Sequence, residues 1–181
     1  MNNFIEEYYI DEKLCDSIID YFHSNKCVQG QIGNRVQLNV KNSKDIPIQP
    51  DNNFYPFGDY RNYLQSFLEQ YVEKYDMLKG YARFNINTSY NIQYYEPGGG
   101  VYDWHNERMG VPHNDRVLVF MTYLNDVEDG GTEFKYYNLT TKAKKGLTLL
   151  WPPDFTHTHK GQISNNSIKY IVTGWFSFNR I

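Results

Sequence analysis

The sequence predicts an α+β, mainly β protein: a jelly roll with N-terminal helices packed on one sheet. Three observations carry this. The apolar period changes from helical to strand spacing near residue 80. Short β-prone runs then follow one another at sandwich spacing, with turn residues between them. Aromatic residues reach 17%, with 17 Tyr and 11 Phe, which suits the packing surfaces of sheets. At 181 residues the chain is expected to form one domain with a core that needs no staples. Within it, 1–80 is expected to be a helical support and 81–181 the jelly-roll core.

Residues 11–24, DEKLCDSIIDYFHS, have a helical pattern. Asp11 can cap it, and Leu14, Ile18 and Phe22 line one face with Cys15 and Ile19 beside them. A second helix is expected over 59–75, where Tyr60, Leu64, Phe67, Leu68, Tyr71 and Tyr75 recur at helical spacing. Between the two, 28–58 is polar and loop-like, with Pro47, Pro50 and Pro56, and a short strand is expected at Arg35–Val40. A connection of this length is uncommon unless it is functional, which makes it a candidate substrate lid. Further strands are expected at 82–87, 90–95, 101–107, 116–124, 132–137, 141–145, 147–151, 157–162 and 169–178. Pro97 with Gly98–Gly100, Asp129-Gly130-Gly131, Gly146 and Pro152-Pro153 mark turns between them.

A net charge of −3 and the lack of a basic run argue against nucleic acid as a partner. Cys15 and Cys27 are too few for a disulfide framework, and Cys15 falls on the apolar stripe of the first helix. The N-terminus has no basic segment followed by an apolar one, and no window approaches the roughly 20 apolar residues of a membrane span. The expectation is a soluble protein of a reducing cytoplasm, with no membrane partner.

The chemistry-bearing residues begin in 96-EPGGGVYDWHNE-107. If 101–107 is a strand, Asp103, His105 and Glu107 share one face and Tyr102, Trp104 and Asn106 the other. A histidine and a carboxylate two residues apart are a weak pattern alone, and a solvated strand end reads equally well. The stretch 151-WPPDFTHTHKGQ-162 offers His157 and His159 as a third ligand. Two histidines and a carboxylate match the facial triad that leaves positions open on Fe(II). Lys169 is the only charge in 169-KYIVTGWFSF-178. It either keeps its head in water at a strand entrance or, half-buried, needs an anionic partner inside the barrel. Arg116, at the start of 116-RVLVFMTYLN-125, poses the same choice.

Taken together, these residues resemble the Fe(II)- and 2-oxoglutarate-dependent dioxygenases. The similarity is to the prolyl 4-hydroxylase-like branch, especially its small single-domain members, some carried by phages. It rests on a Tyr–Gly turn before H-x-E, R-x6-Y-L-N, G-G-T-E-F, an apolar strand ending in W-P-P, then H-x-G with a lysine ten residues past that histidine. The opening D-E-K-L-C-D-S-I-I-D helix is similar as well. The resemblance implies a double-stranded β-helix in which His105, Glu107 and His159 ligate iron. His159 is chosen over His157 by its ten-residue distance to Lys169. Lys169 would take the distal carboxylate of 2-oxoglutarate, Tyr95 and Tyr123 would assist, and Thr173 and Trp175 would line the pocket.

Two positions depart from the family pattern. Glu107 stands where Asp is usual, with Asp103 as the other candidate carboxylate. One extra residue separates Tyr95 from His105, and the glycine turn can absorb it. The implied reaction uses Fe(II), 2-oxoglutarate and O2, with ascorbate as reductant, to hydroxylate a prolyl residue in a peptide or protein and release succinate and CO2. Alternatives are another side chain or a free amino acid as substrate, a cupin-like metalloenzyme without 2-oxoglutarate, and a non-catalytic β-sandwich binding module. Nucleic-acid demethylation fits less well, because the tail offers only Lys169 and Arg180 as cations. A monomer or weak homodimer in the cytoplasm, a host's if the chain is viral, completes the expectation.

Overall fold

The computed structural model describes residues 2–33 and 35–179; Met1, Asn34, Arg180 and Ile181 lie outside the described residues. In chain order the elements are β1 (Glu6–Tyr9), α1 (Glu12–Ser24), β2 (Val28–Gln29), β3 (Lys41–Asn42), β4 (Lys44–Ile48) and α2 (Phe57–Lys74). Then come β5 (Phe84–Asn85), β6 (Tyr90–Tyr95), β7 (Gly100–Val101), β8 (Arg116–Tyr123), β9 (Thr132–Phe134) and β10 (Leu139–Thr140). The chain closes with β11 (Leu147–Trp151), β12 (His159–Gly161) and β13 (Lys169–Phe178). Helix α1 starts as its sequence requires: the Asp11 carboxylate accepts from the Lys13 N–H at 2.7 Å, and Leu14, Cys15, Ile18 and Phe22 are buried.

Among the described residues, eight strands form one antiparallel sheet in the order β1-β11-β8-β13-β6-β4-β2, with β5 added against β13. Strands β10, β9 and β12 form a smaller sheet, and β3 pairs with β7. This is a jelly roll with helices on one face, as predicted. Alternation along each strand divides the large sheet into two faces. Ile46 and Ile48 of β4, Tyr90 and Ile92 of β6, Leu118 and Phe120 of β8, and Tyr170, Val172 and Phe176 of β13 pack with α1 and α2. The other parity, including Tyr95, Val119, Met121, Tyr123, Trp151 and Ile171, forms a second core with Phe134 of the small sheet. The layers are joined by polar contacts too. Tyr60 of α2 hydrogen-bonds Thr122 at 2.8 Å, and Thr122 meets Thr148 at 2.7 Å. Both threonines are fully buried, and this pairing satisfies their hydroxyls.

Several local expectations need correction. Arg35–Val40 is not a strand: Arg35 makes an isolated bridge to Ile32, 38–40 is turn, and the pairing residues lie on either side, in β2, β3 and β4. Pro47 sits within β4, where β2 no longer pairs, so its missing N–H breaks no ladder bond. The run 101–107 is a strand only at Val101, as part of β7. Beyond it the chain bends at Asp103 and Glu107 and joins no ladder, apart from an isolated antiparallel bridge between His105 and His159. The strand expected at 141–145 lies instead at 139–140, and His157 lies on a 3-10 turn before β12. Strand β1 was not expected, because EEYY has no alternation; it is recruited by pairing with β11.

Candidate metal centre and anion pocket

The antiparallel bridge brings the two chemistry-bearing stretches together. The His105 N–H donates to the His159 carbonyl at 3.0 Å, and the His159 N–H returns a bond of 2.8 Å. The Trp-Pro-Pro turn holds the next residues, since the Pro153 carbonyl accepts from the N–H groups of Glu107 and Arg108 at 3.0 and 3.1 Å. Ligand atoms of His105, Glu107 and His159 then lie within 4.8 Å of one another.

The hydrogen bonds also choose the tautomers. His105 Nδ1 is 3.0 Å from the Asp103 carbonyl, and His159 Nδ1 is 2.8 Å from the His157 carbonyl. A carbonyl only accepts, so each Nδ1 carries the proton and each Nε2 keeps a lone pair. Both Nε2 atoms sit 3.6 Å from the same oxygen, Glu107 Oε1. That is somewhat wider than the ~3 Å between neighbouring donors at 2.0–2.2 Å from an ion, so small movements would close the set.

Glu107 is divided between two tasks. Oε1 faces the histidines, while Oε2 accepts from Trp175 Nε1 at 3.1 Å and from Arg116 at 3.2 Å. The Arg116 guanidinium also stacks 3.5 Å from the Trp175 ring centre and donates to the Glu107 carbonyl at 2.6 Å. Burial raises the carboxyl, but His159, His105 and Arg116 outweigh it and bring it to about 2. Burial and the neighbouring His159 lower His105, keeping it neutral. With both imidazoles neutral, two Nε2 lone pairs and a carboxylate are the donor set that a divalent metal takes. The residues fit the ion that the sequence implies.

The other sequence-chosen residues line the same cavity, of about 590 Å³. Lys169, Thr173 and Trp175 face it from the inner parity of β13, together with Ile171. Among the described residues Lys169 has no carboxylate partner: Nζ donates to the Gly130 and Gln162 carbonyls at 3.1 and 2.7 Å. Tyr95 lies opposite Lys169 in the β6–β13 register, and its hydroxyl donates to Gln93 Oε1 at 2.6 Å. The Tyr123 hydroxyl meets Thr132 and Thr141 at 2.6 and 3.1 Å, and burial pushes it up to about 12. Thr173 Oγ1 bonds the Phe120 carbonyl at 3.3 Å.

Two alternatives fall away. The Asp103 side chain is exposed and outside the cluster, because the chain beyond Val101 does not keep strand alternation. His157 is buried with Nε2 2.9 Å from the Asn3 carbonyl and Nδ1 2.9 Å from Thr156 Oγ1. The sequence reading missed Lys41, Asp45 and Gln93, which also line the cavity. A signal existed: Asp45 and Gln93 are polar residues on the parity opposite Ile46, Ile48, Tyr90 and Ile92.

Comparison with known proteins agrees with this geometry. Residues 90–177 match the family model of the 2OG-Fe(II) oxygenase superfamily. The matched region runs from β6 almost to the end of β13 and contains His105, Glu107, His159 and Lys169. This part of the chain is therefore similar to that superfamily, whose name specifies Fe(II) and 2-oxoglutarate. No curated protein sequence matches the chain.

Solved prolyl hydroxylases share the fold. A viral collagen prolyl hydroxylase from Paramecium Bursaria Chlorella virus-1, in its 2-oxoglutarate complex, superposes with a TM-score of 0.68 at 17% identity, over 98% of this chain and 97% of that one. A Pseudomonas putida prolyl-4-hydroxylase gives 0.75 at 15%, covering 96% and 92%. A Trichoplax adhaerens prolyl hydroxylase, in complex with a hypoxia inducible factor peptide fragment, gives 0.74 at 17%, covering 97% and 84%. At these identities the likeness is one of fold.

Proposed function

We propose that the chain acts as a single catalytic domain, an Fe(II)- and 2-oxoglutarate-dependent dioxygenase that hydroxylates a prolyl residue in a peptide or protein. The observation that carries this reading is the joint geometry of one cavity: two imidazole Nε2 atoms and one carboxylate oxygen converge, and a buried ammonium with no anionic partner among the described residues lines the same space. His105, Glu107 and His159 would hold the metal, and Lys169 the distal carboxylate of the cosubstrate. When bound, Fe(II) with 2-oxoglutarate supplies O2 activation and transfer of a hydroxyl group, with succinate and CO2 released.

The chain's own residues do the positioning. Trp175 and Arg116 hold Glu107 Oε2, which leaves Oε1 alone to ligate and keeps other positions on the metal open. The Asp103 and His157 carbonyls fix both imidazoles. The inner walls, with Ile171, Met121 and Trp151, exclude bulk water. Prolyl specificity is supported by the fold shared with prolyl hydroxylases, one of them solved with a peptide. From the 28–58 stretch, Val28, Gln29, Ile32, Lys41, Asp45 and Pro47 line the cavity, which supports reading that stretch as a cover over substrate.

The test is an anaerobic Fe(II) titration with and without 2-oxoglutarate, read by the visible metal-to-ligand charge-transfer band. The band should appear in the native chain and in His157→Ala, and be lost in His159→Ala. A native chain with no band and no succinate formation in air would sink the reading.

A further inference from the structure

The cavity contains two buried lysines, and their surroundings differ. Lys169 Nζ meets two backbone carbonyls and, among the described residues, makes no ion pair. Lys41 Nζ lies 2.7 Å from Asp45 Oδ2, and Asp45 Oδ1 accepts from Ser43 Oγ at 2.7 Å. Lys41, Ser43 and Asp45 are 6%, 3% and 5% exposed. Gly30 closes over the cluster: a Cβ there would sit 2.1 Å from Ser43 Oγ and 3.0 Å from Lys41 Cε. The arrangement is thus built, not incidental.

The cluster belongs to the same wall as the anion pocket. Asp45 faces Gln93 in the β4–β6 register, Gln93 accepts from Tyr95, and the Tyr95 ring lies 5.4 Å from Lys169 Nζ. Lys41 is tied to the metal loop through the β3–β7 pairing, opposite Val101. Stability does not explain a buried ion pair, since apolar residues of similar volume serve as well or better. What the pair does change is the electrostatics of the cavity. Lys41 without Asp45 would be a second buried cation competing for an anionic ligand.

We propose that Asp45 is a specificity residue for the cosubstrate: it masks Lys41, so that a bound dianion finds one unpaired ammonium, Lys169, and binds in one orientation. The inference rests on reading the cavity as the 2-oxoglutarate site. It uses a device known from specific recognition generally, in which the wrong mode is suppressed as well as the right one favoured.

The experiment is a 2-oxoglutarate titration of the anaerobic Fe(II) protein, read by the charge-transfer band, with total bound 2-oxoglutarate from equilibrium dialysis. Asp45→Asn should lower the band at saturation at least ~2-fold while bound 2-oxoglutarate stays level or rises. Lys41→Met leaves a bare carboxylate in the cavity and should weaken 2-oxoglutarate binding roughly tenfold. The neutral double variant Lys41→Met/Asp45→Asn should regain the native band, and serves where a single variant fails to fold. A native band in Asp45→Asn, an unweakened Lys41→Met, or a double variant that keeps the single-variant defect would each overturn the masking role. A native protein with no band overturns the cosubstrate reading and the masking role together; indifference to these substitutions overturns the masking role alone.

Discussion

Lys169 shows how one residue's surroundings turn a sequence feature into a measurable property. Burial brings its ammonium from the usual 10.5 down to about 8, since two carbonyls do not replace the lost water or supply a charge. The charged form binds an anion. Affinity for 2-oxoglutarate should therefore be flat below about pH 8 and fall as pH rises through it, approaching tenfold per unit. Calorimetric titrations across that range would show this. Affinity still flat a full unit above the break would mean that another cation holds the ligand. Lys169→Ala should remove most of the affinity and its pH dependence while metal binding persists. Glu107 is the other informative residue. The methylene it has beyond aspartate lets Oε2 reach Trp175 on β13 while Oε1 faces the histidines. Why an unusual glutamate serves here becomes plain only with Trp175 in view.

At the scale of elements, β8 and β13 carry most of the architecture, because each buries both faces. Phe120 is fully buried against Tyr60, Tyr90 and Phe176 on the helix side, while Val119 and Met121 face the cavity layer. Phe120→Ala should cost about 3–5 kcal/mol in urea unfolding; a loss under ~1 kcal/mol would show that α2 does not pack on this sheet. Gly174 belongs to the same contact. A Cβ there would sit 2.5 Å from both the Phe120 ring and Tyr90 Cβ. Strands with strong patterns, 90–95, 147–151 and 169–178, read correctly from sequence to the residue. Among the stretches misread, 101–107 is the one whose pairing depends on distant partners, Lys41–Asn42 for β7 and His159 for His105. Local propensity carries no information about such partners.

At the scale of the molecule, the site joins segments far apart in the chain. His105 is held by a two-bond bridge to His159, the first residue of β12. An ion bound by both should therefore stabilise the folded state. At a hundred times its Kd a divalent metal contributes about 2.7 kcal/mol, or roughly 5–10 °C in the melting temperature of a chain this size. A thermal scan with Co(II) or anaerobic Fe(II) would measure it, and His159→Ala should abolish the shift. No shift in the native chain would mean that the three residues do not act as one ligand set.

By itself the sequence determined the period switch near residue 80, both helices and the main strands, and put forward His105, Glu107, His159 and Lys169 with Asp103 and His157 as rivals. Those features are local: alternation, capping and fixed spacing record themselves in neighbouring letters. Only the tertiary structure decided which histidine joins the cluster, which carboxylate answers it, and that Asp45 neutralises Lys41 inside the cavity. The first two depend on distances between segments tens of residues apart, and the third on β3 and β4 being set against the cavity by their pairing with β7 and β6; all three follow from the packing of one sheet between its helices and the smaller sheet.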